Sequence, residues 1–197
     1  MVSYEATRRK YRGKMASGYE AKRKPQRRWK DENRLVDEMT SELPRHTRLL
    51  DAPCGTGRFL NLWELRGFRW LGIDASEEML ALARRKRTAR SDLRVGDVTS
   101  LEIDDGYVDC AVCVRFLDLV DQDTMRRAVR ELHRVLRAGG RLVLTIRLGP
   151  EYLPKSNTAT HDERAFRSLV KRLGFATTRD EPVFNAGWHV MQLEKLQ

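Results

Sequence analysis

Arg48-Leu-Leu-Asp-Ala-Pro-Cys-Gly-Thr-Gly-Arg-Phe-Leu60 is the stretch whose reading decides the fold. Leu49-Leu50 reads as a strand end closed by Asp51, Gly55 and Gly57 make a tight turn, and Phe59-Leu60 falls in a following helix. Glycine has no Cβ, so the backbone turns sharply there and lets a ligand come close, while N–H groups at the new helix start remain unpaired. This is the build of a nucleotide-binding loop, a weak signal alone. It gains weight from Asp74, which closes a second apolar strand, Arg69-Trp-Leu-Gly-Ile-Asp74. The separation is close to the ~20 residues at which a nucleotide-binding βαβ unit places a carboxylate for a ribose.

Outward from this loop, strands and helices alternate. Trp29, Leu35, Val36, Met39 and Leu43 recur at helical spacing over 27–43 and stop before Pro44. The first strand, 47–51, is followed by a helix over 56–66 with Phe59, Leu60, Leu62 and Trp63 as core positions, and Gly67 stops it. After the second strand, Ser76 is placed as an N-cap with Glu77 and Glu78 in the first turn, and Met79, Leu80 and Leu82 face inward. Strands over 92–95 and 108–114 precede a helix over 122–137 with the stripe Met125, Val129, Leu132 and Leu136. Gly139-Gly140 turns into a strand over 141–146, a helix over 161–173 buries Phe166, Leu169 and Val170, and strands over 175–179 and 188–193 close the chain. Strands separated by helices require crossovers, so the expected fold is α/β, a Rossmann-like, doubly wound, seven-stranded and mostly parallel sheet with its last strand antiparallel.

A length of 197 residues with 41% apolar residues suits one domain with a sizeable core. No stretch reaches the ~20 apolar residues of a membrane span and no secretory apolar segment leads the chain, so a soluble, cytoplasmic protein is expected. Three cysteines are too few for a disulfide framework. Cys110-x-x-Cys113 resembles a redox or zinc motif, yet it lies in a strand where odd spacing sends the two side chains to opposite faces, and buried core cysteine is the plainer reading.

The net charge of +10 is concentrated at the start. Residues 1–30 hold eleven Lys or Arg against Glu5 and Glu20, whereas the rest holds 27 basic against 26 acidic residues. Residues 1–30 therefore read as a basic arm and 31–197 as the folded domain. The arm attracts anionic substrate, nucleic acid or lipid, or is a solvated tail. Two further basic stretches, Arg84-Arg-Lys-Arg87 and the stripe Arg126, Arg130, Arg134 and Arg137, read respectively as a cationic helix end and a solvated helix face.

At this point the chain resembles a class I S-adenosylmethionine-dependent methyltransferase of the small-molecule type, over residues 45–197. The ordered motifs are Asp51-Ala-Pro-Cys-Gly-Thr-Gly57, Gly72-Ile-Asp74, Gly96-Asp97-Val98 and Leu136-Arg-Ala-Gly-Gly140. The resemblance implies S-adenosyl-L-methionine as cofactor. It implies that Gly55 and Gly57, with Ala52 and Pro53 in the same loop, border the methionine moiety, that Asp74 accepts from the ribose hydroxyls and that Asp97, beside Val98, accepts from the adenine amino group. It further implies that Asp51 orients the loop or contacts the amino group indirectly, that Arg115 and Phe116 sit beside the sulfonium after the fourth strand, and that Ala75 or Met79 lines the adenine pocket. Pro53 stands where the family has its first loop glycine, which argues for a rigid entry to the loop. Tyr11-Arg-Gly-Lys-Met-Ala-Ser-Gly-Tyr19 resembles the leading segment that folds over the cofactor as a lid, with Tyr11 and Tyr19 enclosing the methionine end.

Methyl transfer depends chiefly on orientation and exclusion of water, so a dedicated base is optional. Asp118 and His161 are the candidate bases, each with a plain structural alternative, and Tyr19 joins them as a candidate catalytic residue. The segment after the fourth strand lacks an Asp/Asn-Pro-Pro-aromatic motif, and Pro53-Cys54 belongs to the glycine loop, which disfavours the common base-methylating chemistries. The first reading is methylation of a small anionic or phosphorylated acceptor. The others are a nucleic-acid methyltransferase using the basic arm and a noncatalytic S-adenosylmethionine-binding protein. Oligomeric state and acceptor atom stay open.

Overall fold

A computed structural model describes residues 26–86, 92–149, 158–183 and 187–197. The leading helix α1 (Arg27–Thr40) is followed by β1 (Arg48–Asp51), α2 (Leu60–Leu65), β2 (Arg69–Asp74), α3 (Glu77–Arg84) and β3 (Asp92–Val95). The second half runs β4 (Val108–Cys113), a 3₁₀ turn (Leu117–Leu119), α4 (Gln122–Val135), β5 (Leu136–Arg147), α5 (Glu163–Arg172), β6 (Phe175–Pro182) and β7 (Trp188–Lys195). The strands form one seven-stranded sheet in the order β3-β2-β1-β4-β5-β7-β6. All pairings are parallel except those of β7 with β5 and β6. The chain steps one way from β1 to β3 and the other way from β4, so a crevice opens at the C-terminal ends of β1 and β4, where open α/β sheets bind ligands.

Each face of the sheet carries its own core. On one side Met125, Val129, Leu132, Phe166 and Leu169 of α4 and α5 pack on Leu50, Ala111 and Leu142. On the other, Leu35, Val36 and Met39 of α1 join Leu60, Trp63 and Ala83 on Leu49, Val112 and Val143. Cys113 belongs to the first core and Cys110 to the second, as the odd spacing along a strand requires. Burial pushes the Cys110 thiol up to about 12, which removes it from thiolate chemistry.

Several boundaries differ from the sequence reading. The helix after the glycine loop begins at Leu60, because Gly57 has φ of +74° and donates to the Cys54 carbonyl in a turn. α1 stops at Thr40 rather than at Leu43, with Ser41 N–H donating to the Glu38 carbonyl in its last turn. On α3 Met79, Leu80 and Ala83 are buried, whereas Leu82 is only half-buried. Gly139-Gly140 lies within β5: Val108 pairs with Leu136 and Cys110 with Arg141, so the intervening residues of β5 bulge, with Gly139 at φ +68°. His161 precedes α5; it bridges to Leu148, and the Asp162 carboxylate caps the helix by accepting from Ala165 N–H at 2.6 Å. Arg28 and Trp29, counted with the basic arm by charge, belong to α1, which starts at Arg27 as the apolar spacing predicts. The segment with Tyr11 and Tyr19, and Arg87 of the basic run, lie outside the described residues.

The arginine stripe is exposed at Arg130 and Arg137 and half-buried at Arg126 and Arg134, and Arg137 lies in β5 because α4 ends at Val135 rather than at 137. Arg134 pairs with Glu131 and Asp105 and donates to the Leu101 and Ile103 carbonyls, and Arg137 pairs with Asp109 at 2.7 Å. Arg130 stays exposed. Two neighbouring substitutions on α4 test this division. Leu132→Ala, at a fully buried site, is expected to cost about 2–5 kcal/mol in urea unfolding, and Arg130→Ala to change stability by less than about 0.5 kcal/mol. Equal effects would contradict the packing described.

Candidate functional site

The cleft at the switch point is built from the ends of β1, β2 and β4. Asp74 holds its floor: Oδ2 accepts from Gly55 N–H and Oδ1 from Ser76 N–H, each at 2.8 Å. Burial raises the Asp74 pKa against the lowering effect of these backbone donors. Each carboxylate oxygen has a further lone pair, so Asp74 retains acceptor capacity for hydroxyl groups. Gly55 has φ of +57°, and a Cβ added there would meet no atom within 4 Å. Its missing side chain thus leaves open space beside the loop. Gly57 is glycine for a different reason, since a Cβ would fall 2.5 Å from the Leu60 side chain.

Asp51, at the end of β1, is 2% exposed and accepts from Trp63 Nε1 at 3.0 Å. Pro53, Ala75, Met79, Val98 and Phe116 form much of the remaining wall. The cleft is partly open to solvent and mostly apolar in its lining, with a few convergent polar groups, the build usual for small-molecule and cofactor sites. A ribose-like diol at Asp74, an apolar wall for a flat ring and an open backbone turn fit an adenosine bearing an amino-acid tail.

A buried ionic cluster closes one side. Glu32 of α1 is fully buried and accepts from Arg28 at 2.7 Å, Arg58 at 2.8 Å and Arg115 at 2.9 Å. Burial alone would raise its carboxyl; Arg115, Arg58 and Arg28 together outweigh that and hold it below the usual carboxylate range. Arg58 comes from the glycine loop and Arg115 from the turn after β4, and both line the cleft. Arg58 also donates to the Trp29 carbonyl and stacks on the Trp29 ring at 3.6 Å. Arg115 has φ of +59°, and its N–H donates to Thr145 Oγ1 at 2.7 Å. Arg28 lies 3.1 Å over the Trp188 ring, and Arg147 is 5.4 Å from the same ring.

The cleft brings together Asp51, Pro53, Gly55, Asp74, Ala75, Met79, Val98, Arg115 and Phe116, all expected from the sequence. Ala52 is buried behind the loop, Gly57 packs on Leu60, and Asp97 Oδ1 accepts from both Thr99 N–H and Thr99 Oγ1, so these three lie beside the cleft rather than lining it. The two candidate bases are placed elsewhere. Asp118 is 2% exposed, 3.4 Å from Arg28, and burial raises its pKa despite that partner. His161 is buried, and its Nε2–H donates to the Leu117 carbonyl at 2.6 Å, with burial lowering its pKa. Sequence reasoning missed Glu32, Arg58 and Trp29. Their signal was a carboxylate on the apolar face of α1, in the run Trp29, Glu32, Val36 and Met39.

The methyltransferase-domain family matches residues 50–144. A malonyl-[acyl-carrier protein] O-methyltransferase of Pectobacterium atrosepticum is 40% identical over 100 residues, half of this chain and 38% of that one. The biotin biosynthesis bifunctional protein BioHC of Cellvibrio japonicus is 34% identical over 155 residues, 78% of this chain and 30% of that one. The chain thus spans well under two thirds of these relatives. Among solved structures, magnesium protoporphyrin IX methyltransferase from Synechocystis, with bound S-adenosylhomocysteine, shares the fold at a TM-score of 0.70 and 16% identity, over 84% of this chain and 82% of that one. Sheet order, glycine loop and Asp74 agree with these likenesses: residues 50–144 match the methyltransferase-domain family, and the sheet has the fold of S-adenosylmethionine-dependent methyltransferases.

Proposed function

We propose that this protein methylates a small acceptor through its carboxylate. The observation that carries this reading is the juxtaposition of the Asp74–Gly55 cradle with the buried guanidinium of Arg115, which lines the same cleft, and with Arg28 and Arg147 beside it on Trp188. Guanidinium groups recognise carboxylates by paired, charge-assisted hydrogen bonds, which are strong when water is excluded. The name of the Pectobacterium relative points the same way, since a malonyl group on a carrier is an acid.

S-adenosylmethionine, when bound, supplies a methyl carbon made electrophilic by the adjacent sulfonium. Asp74 would hold the ribose, the open turn at Gly55 would admit the methionine moiety, and Arg115 would align the acceptor carboxylate. Val114, Phe116 and Leu119 on the wall would exclude water. A carboxylate, with a pKa of about 4, is already ionised at neutral pH and needs no base. This accords with the engagement of His161 by Leu117 and of Asp118 by Arg28.

Labelled methyl transfer to a malonyl thioester, with an acetyl thioester as the control lacking the carboxylate, tests the reading. Turnover on the malonyl compound alone is expected, with kcat/KM about 10–100-fold lower in Arg115→Gln from the loss of a charge-assisted bond. Transfer to nucleic acid that falls steeply with salt would overturn it in favour of the basic arm. Cofactor binding without turnover on either class would instead identify a noncatalytic binding protein.

The second carboxylate at the cleft sets a pH dependence. Burial pushes Asp51 up to about 7, against the lowering effect of the Trp63 bond. A carboxyl whose pKa is higher in the folded than in the unfolded protein contributes stability that is present below about 4 and lost as pH rises through about 7. Ligand-free protein is therefore expected to lose up to about 4 kcal/mol between pH 4 and pH 8 through this group. Asp51→Asn should lack that component in urea unfolding. An unchanged pH profile in the variant would remove the assignment.

A further inference from the structure

S-adenosylmethionine and S-adenosylhomocysteine differ, apart from the methyl group, by one positive charge at sulfur. A cleft lined by Arg58 and Arg115 disfavours the charged member unless their field is cancelled. The carboxylate that meets both guanidiniums is Glu32, fully buried at 2.8 Å from Arg58 and 2.9 Å from Arg115. Its burial matters because salt screens buried pairs far less than exposed ones. Glu32 stands on α1, before the 50–144 stretch of the family match.

We infer that Glu32 is a positioning residue that fixes Arg58 and Arg115 at the cleft wall and, by its charge, sets the preference of the site for sulfonium cofactor over thioether product. The inference rests on the assignment of this cleft to S-adenosylmethionine and goes beyond it. Without Glu32 the guanidiniums would repel the sulfonium while leaving the thioether unaffected. The site would then favour the product, and turnover would stall on S-adenosylhomocysteine. A role confined to anchoring α1 makes a different prediction, because a loosened helix weakens both ligands alike.

The test is calorimetric titration of the full chain with S-adenosylmethionine and S-adenosylhomocysteine, reading the ratio of the two Kd values. Glu32→Gln keeps the shape and removes the charge. One unit charge acting over ~10 Å at an effective dielectric of ~20 predicts a shift of about tenfold in that ratio toward the thioether. In Glu32→Gln/Arg28→Met, which removes one charge of each sign, the ratio is expected to return toward that of the unaltered chain. Equal weakening of both ligands, or an unchanged ratio, overturns the inference. If Glu32→Gln fails to fold, Arg115→Gln decides: with Glu32 retained and one cation removed, the ratio should move toward the sulfonium, and no movement overturns the inference. If the unaltered chain binds neither ligand, the cofactor assignment itself fails, an outcome visible before any variant is made.

Discussion

The three-way contact of Glu32 with Arg28, Arg58 and Arg115 ties the site together. It fastens the helix before the sheet to the glycine loop after β1 and to the turn after β4, two loops that meet only at the switch point of the sheet. Arg115 shows how tightly that meeting is set. A non-glycine residue at positive φ costs of order 1–3 kcal/mol, and here the conformation is fixed by Glu32 on the side chain and Thr145 on the backbone N–H.

Such a cluster is a poor stabiliser. Taking charges out of water costs several kcal/mol per ion, and a well-packed apolar replacement is often as stable. Its value lies in placement. Leu35, Val36 and Met39 already seat α1 on the sheet, so the ionic contacts specify where the guanidiniums point rather than whether the helix docks. Asp118 fits the same logic, as a buried carboxyl beside Arg28 whose Oδ1 has no hydrogen-bond partner among the described residues. The cleft therefore joins a half lined by the glycine loop and the Asp74 carboxylate, which admits a nucleoside, to a cationic half suited to an acid.

Much of the fold was legible because its signals are local. The Leu49-Leu50 strand end, Ser76 as N-cap accepting from Met79 N–H, and the α4 and α5 stripes depend on residues within a few positions of one another. Asp74 was legible because a short βαβ unit brings its strand end beside the glycine loop. The misses arise where distant segments decide. The bulge at Gly139-Gly140 follows from pairing with β4, and Asp162 rather than His161 starts α5 because the His161 backbone is claimed by Arg147 and Gly149. The fate of Glu32 could not be read from its own helix, since Arg58 and Arg115 lie 26 and 83 residues away. The same holds for Asp118 and His161, placed correctly near the carboxyl edge but turned toward Arg28 and Leu117.

The central claim is that Asp74 and the Gly55 turn form an adenosylmethionine site, and calorimetric titration tests it most directly. S-adenosylmethionine, S-adenosylhomocysteine and NAD are titrated into the unaltered chain and into Asp74→Ala. The account predicts that the first two bind and NAD does not, and that Asp74→Ala weakens both by about 10–100-fold through loss of charge-assisted hydrogen bonds. Binding of NAD, or undiminished binding of S-adenosylmethionine by Asp74→Ala, would contradict it.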